Sequence, residues 1–200
     1  MITLLRDIAL LFNKLKLARD LQSPVHIRTA DEESPMTVSD WNTQPQDHLI
    51  DHLLARYHAR HREQLPELVR MASRVEQVHA QHLQCPTGLA DLLRDMQQEL
   101  ENHMLKEEQV LFPMLQMGMG PQAAMPIQVM RHEHDQHAEA LEQLLSLTNQ
   151  ITPPAEACNT WRSLYRELSA FHADLREHIH LENDILFAKA AAPGLVPARA

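Results

Sequence analysis

Residues 103–112 read His-Met-Leu-Lys-Glu-Glu-Gln-Val-Leu-Phe, and residues 178–187 read His-Ile-His-Leu-Glu-Asn-Asp-Ile-Leu-Phe. Both follow one pattern, H-x-x-x-E-x-x-x-L-F. About 45 residues upstream of each stands a second matched pair, His58-x-x-His61-x-Glu63 and His134-x-x-His137-x-Glu139. The chain is therefore two tandem halves, with the period of a duplicated helical hairpin. A His and a Glu one helical turn apart aim their donor atoms at the same point. Two such pairs, each with a partner His in its own half, predict a binuclear metal site.

Composition agrees with helices and with metal. The 200 residues suit one domain with a sizeable core. Forty-four per cent apolar residues, four Gly and 4% aromatics favour helix over sheet. Ten Met supply adaptable core filler, and fourteen His are the compositional trace of the repeat. A net charge of −9 argues against nucleic acid and anionic membrane surfaces as partners. Cys85 and Cys158 form no C-x-x-C and no disulfide framework, which suits a reducing cytoplasm. The opening segment carries Arg6, Asp7, Lys14 and Lys16 within its apolar stretch, so it reads neither as a signal peptide nor as a membrane span. The expected location is cytoplasmic.

Residues 1–40 read as a short N-terminal helical segment and linker. Leu4, Ile8, Leu11 and Leu15 form a stripe over 2–21, and Pro24, Pro35 and Pro45 punctuate 22–46. Residues 41–190 read as an all-α, up-down-up-down four-helix bundle, and 191–200 as a tail. Helices are expected over about 47–83 (kinked at Pro66), 88–116, from about 121 to 150, and 155–190. The breaks between them are Cys85-Pro86-Thr87-Gly88, the Met-Gly-Met-Gly-Pro run at 117–121 and Thr152-Pro153-Pro154. Short breaks between long helices imply antiparallel neighbours.

Spacing by threes and fours puts the His and Glu on the core seams. The seams run Leu54, His58, His61, Leu65, Leu68; then Leu93, Met96, Leu100, His103, Glu107, Val110, Met114. The third is Ile127, Met130, His134, His137, Leu141, Leu144, and the fourth Leu168, Phe171, Leu175, His178, Glu182, Ile185. A carboxylate left unpaired in such a core costs several kcal/mol, and coordination is the usual remedy. Four imidazoles and two carboxylates without a thiolate suit iron, manganese or zinc and exclude a resident iron–sulfur cluster. A zincin is excluded because His132-Glu133 is followed by Gln136 where H-E-x-x-H requires His. Ferritin-type sites use Glu-x-x-His, whereas the order here is His-x-x-x-Glu. Cys85 and Cys158, in the far loops, read as idle thiols.

The layout resembles the haemerythrin-like domain, and several strings resemble the di-iron RIC (repair of iron centres, or iron–sulfur cluster repair) family. These are Tyr57 through Leu68, His103 through Pro113, Glu133-His134-Asp135, Thr152 through Cys158, and His178 through Phe187, within a span from Trp41 to Phe187. The resemblance implies iron ligands at His58, His103, His134 and His178, with Glu107 and Glu182 bridging. It implies two Fe ions in an oxo- and carboxylate-bridged di-iron centre. The implied activity is protection or repair of iron–sulfur clusters damaged by nitric oxide or oxidative stress. Iron donation, or nitric oxide binding or reduction (the latter an enzyme activity), would be the means. Damaged iron–sulfur proteins are then clients, and NO, O2 or peroxide small ligands, with no nucleic acid or membrane partner; a homodimer is compatible with the pattern. The alternative is an O2- or NO-binding or sensing protein without repair activity. Glu99 and Glu133 fall where family members place acidic residues near the site, and His137 is a candidate fifth imidazole. Family members usually carry an adjacent Cys pair near the N-terminus, whereas residues 1–40 contain no Cys.

Overall fold

The computed structural model describes residues 38–191, and the expectations for 2–21, for 22–37 and for the tail beyond 191 lie outside them. The described residues are helical throughout, with no strand among them. A short helix α1 (Val38–Thr43) is followed by four long ones. In α2 (46–78), Gln46–His52 runs through a π-helical stretch, Leu53–His58, into Ala59–Val78. In α3 (89–116), Leu89–Lys106 passes through π-helical Glu107–Leu111 into Phe112–Gln116. After a 3-10 turn, Gly120–Ala123, α4 spans Ala124–Leu147. In α5 (159–191), Asn159–His180 continues through π-helical Leu181–Leu186 into Phe187–Ala191. α2 packs on α3 and α5, α3 on α4, and α4 closes on α5, giving the expected four-helix bundle.

Two local expectations are corrected. Residues 38–43 were expected within a linker but form α1, because Trp41 has a core to enter: it is 6% exposed, and Lys189 Nζ donates to the carbonyls of Trp41 and Gln44 at 2.6 and 2.7 Å. α2 stops at Val78 instead of 83. It stays helical through Pro66, and a π stretch lies at 53–58.

That π stretch and the one in α3 also move the seams, whereas in α5 the predicted seam through Ile185 stays buried. A π turn holds more than 3.6 residues, so apolar positions slip by one after it. In α3 the expected Val110 and Met114 give way to Leu111 and Leu115, which are 1% and 3% exposed while Val110 is 42% exposed. In α2 the same slip buries Leu53 in place of Leu54. α4 has no π stretch, and its predicted seam from Ile127 to Leu144 is buried throughout.

The core falls into two clusters. One, with Leu68, Leu93, Trp161, Leu164, Phe171 and Leu175, fills the end bounded by the α2–α3 and α4–α5 connections. The other, with Trp41, Ile50, Phe112, Ile185, Leu186 and Phe187, fills the opposite end. The buried polar layer lies between them in every long helix. Gly120 is required where the 3-10 turn meets α5, since a Cβ there would collide with the Ala190 carbonyl.

Candidate metal centre

His58, His103, His134, His178, Glu107 and Glu182 are each at most 2% exposed, and the bundle brings all six together. Their donor atoms form two groups, each within 4.8 Å: His58, Glu107, His178, Glu182 and His103, Glu107, His134, Glu182. Both carboxylates belong to both groups. Glu107 Oε2 lies 3.4 Å from His58 Nε2 and 3.4 Å from His103 Nε2. Glu182 divides its oxygens, Oε1 lying 3.0 Å from His178 Nε2 and Oε2 3.0 Å from His134 Nε2. This is the geometry of two carboxylates spanning two cation positions.

Outward hydrogen bonds fix which nitrogen each ring turns inward. A carboxylate only accepts, so His58 Nδ1 donates to Glu108 at 2.8 Å and His103 Nδ1 to Glu133 at 3.0 Å. His134 Nδ1 donates to Asn183 Oδ1 at 3.0 Å. Each neutral ring then presents an Nε2 lone pair to the centre. Those of His103 and His134 face one another at 3.1 Å, a repulsive contact unless a proton or cation lies between them. His178 is held by its ring, stacked on Tyr57 at 5.3 Å and 11°. Further out, Arg62 links Glu108 to Glu101, and Lys106 pairs with Glu133.

The donor set fits a pair of cations. Both oxygens of Glu107, Oε2 of Glu182 and Nε2 of His58 are buried without a hydrogen bond, which in an apolar core costs several kcal/mol unless something coordinates them. Electrostatics describe the same shortage of positive charge. Burial and the neighbouring Glu182 charge push Glu107 up, whereas the surrounding histidines outweigh burial and hold Glu182 well below the usual carboxylate range. Burial disfavours the charged His58, but the close carboxylates of Glu107, Glu108 and Glu182 outweigh it and raise its pKa to about 11. Burial holds His103 down at about 4.

The neighbouring expectations divide. Glu133 touches His103, but Glu99 is exposed on the outer face of α3 and does not reach the site. His61 and His137 are buried and kept neutral, each with a pKa near 3 caused chiefly by burial, and neither joins a donor group. His137 packs edge-on against His103 at 5.1 Å, and His61 lies 5.3 Å from His178. A cavity of about 440 Å³ between α2 and α3 reaches His61 and Met104. Glu108 and Asn183 were missed. The repeat carried the signal: each directly follows its shared Glu, and each binds the Nδ1 of the His from the other helix of its half.

Comparison with known proteins agrees with this architecture. The model of the "Hemerythrin HHE cation binding domain" family matches residues 49–190. The chain is 51% identical over 178 residues to the iron-sulfur cluster repair protein YtfE of Yersinia pseudotuberculosis serotype IB (strain PB1/+), covering 89% of this chain and 80% of that protein. The same values hold for the iron-sulfur cluster repair protein YtfE of Yersinia pestis (strain Pestoides F).

Proposed function

Because this chain belongs to the haemerythrin HHE cation-binding family, and within it to the iron–sulfur cluster repair proteins, we propose that it repairs damaged iron–sulfur clusters through a di-iron centre. The observation that carries the chemistry is the pair of donor groups sharing Glu107 and Glu182. In this reading His58 and His178 hold one cation, His103 and His134 the other, and the two carboxylates bridge. A di-iron centre supplies electrons and open coordination positions, and its ions are themselves the material that a damaged cluster lacks.

The chain's own residues supply the rest. Glu108, Glu133 and Asn183 fix the tautomers of His58, His103 and His134, keeping each Nε2 lone pair inward. Tyr57 sets the ring plane of His178. The two apolar clusters exclude bulk water from above and below, which strengthens every charge interaction inside. With six donors for two cations, neither site is closed by protein alone, which favours reaction or release over permanent storage. Among the described residues no helix is long and apolar enough to cross a membrane. Damaged iron–sulfur proteins are the proposed clients, nitric oxide and peroxide the proposed sources of damage, and the cytoplasm the proposed compartment.

The test is a repair assay on an iron–sulfur enzyme inactivated by nitric oxide. Iron-loaded protein should restore its activity, and the Glu107→Gln variant should not. Equal recovery with free ferrous iron at the same concentration would remove the repair reading and leave a cation-binding bundle.

A further inference from the structure

A second cluster of reactive side chains lies at the other end of the bundle. Counting along the helices at 1.5 Å per residue, His79 lies about 30 Å from His58 and Cys158 about 30 Å from His178. There the Cys158 sulfur stands 3.2 Å from His79 Nε2. Cys158 is also the N-cap of the 22-residue helical stretch Asn159–His180, with extended backbone (φ −71, ψ 170). A helix N-terminus and an adjacent imidazole are the two surroundings that favour thiolate chemistry at cysteine. Cys158 is half-buried.

The surroundings hold this pair in place. The His79 ring packs on Trp161 at 5.0 Å, and His82 packs edge-on against the same indole at 5.3 Å. Trp161 itself is fully buried, so it gives the His79 ring a fixed wall to pack on. Cys85 is near enough to Tyr165 to disfavour ionisation of its phenol, an effect smaller than that of burial. The second thiol, with no comparable imidazole contact among the described residues, is therefore an internal control.

We propose that Cys158 is a peroxide-reactive thiol activated by His79, a modification site separate from the metal centre. His79 takes the thiol proton. The sulfur attacks one oxygen of a hydroperoxide, an S–O bond forms, and the O–O bond breaks. The leaving hydroxide or alkoxide takes the proton from His79 and departs as water or alcohol. Sulfur loses two electrons, the peroxide gains them, and the product is a sulfenic acid at Cys158.

The experiment treats full-length, metal-loaded protein with substoichiometric hydrogen peroxide, traps sulfenic acid with dimedone, and counts the adduct at each cysteine by peptide mass spectrometry. Cys158 should be labelled at least about tenfold faster than Cys85, and His79→Gln should remove that advantage while His82→Ala preserves it. Metal content should be unchanged in both variants, because the pair lies far from the centre. The wild-type ratio alone decides the matter should His79→Gln fold poorly: equal labelling of the two cysteines overturns the proposal. So does an unchanged Cys158 rate in well-folded His79→Gln.

Discussion

Glu107→Gln separates what this carboxylate costs the metal-free fold from what it contributes once cations bind. The side chain is fully buried, both oxygens lack hydrogen bonds, and it belongs to both donor groups. The amide keeps the volume and removes the charge. In the metal-free protein the exchange trades a buried, repelled carboxyl for a buried amide whose own desolvation costs about 1–3 kcal/mol. The two costs nearly cancel, so the melting temperature of the metal-free variant should stay within about 4 °C of wild type, at roughly 2–4 °C per kcal/mol for a chain of this size. Metal reverses this balance. At a thousandfold excess over Kd, a cation that binds only the folded state contributes about 4 kcal/mol, or roughly 8–16 °C. The variant loses a ligand at both positions and should lose most of that increment. Melting by calorimetry with and without ferrous iron, on both proteins, gives the four numbers required. A variant that keeps the full metal increment would refute the bridging role. One that collapses without metal would refute the claim that this carboxylate burdens the empty fold.

Removing the outward hydrogen bonds should weaken the site without dismantling it. Glu133→Gln and Glu108→Gln are each expected to lower metal affinity about 10–100-fold while keeping two ions at saturation, as chelator competition would record; unchanged affinity in both would show that these carboxylates do not orient the rings. The pH dependence has a definite sign. Without metal, Glu107 titrates above its ordinary 4.5, because of burial and the Glu182 charge, and His58 near 11 instead of 6.5, its carboxylate partners outweighing burial. Below about pH 6.5 the buried His103, His61 and His137, held low by burial, work the other way, because the unfolded histidines take up protons first. Above it the folded chain holds protons that the unfolded chain has released, and metal-free stability falls as pH rises from 6.5 towards 11. Metal must displace those protons, so affinity rises over the same window, and a metal increment that is flat between about pH 6 and 9 would contradict the assignment. Gly120→Ala should cost about 1–3 kcal/mol in denaturant unfolding, since the new methyl meets the Ala190 carbonyl; a neutral result would mean that the turn moves aside easily.

Much of this was legible in the chain because a repeat is a stronger signal than any single residue. The H-x-x-x-E-x-x-x-L-F copies and their partner histidines indicated four helices, a shared layer and its six side chains before any coordinates. What escaped has identifiable causes. Seams read at 3.6 residues per turn cannot foresee π turns, so Val110 was assigned to the core and Leu111 was not. Trp41 lay in a Pro-punctuated stretch that masked its apolar anchoring. Glu99 sat at a plausible distance along the helix but on the wrong face, while Glu108 and Asn183 looked like surface residues because they reach the site from its rim. The contact between Cys158 and His79 was not foreseen, because the two are far apart in sequence.

Elemental analysis of protein made in iron-replete cells tests the central claim most directly. Two irons per chain, falling below one in Glu107→Gln, is the predicted result. A single zinc, or no metal at all, in well-folded protein would contradict the di-iron account.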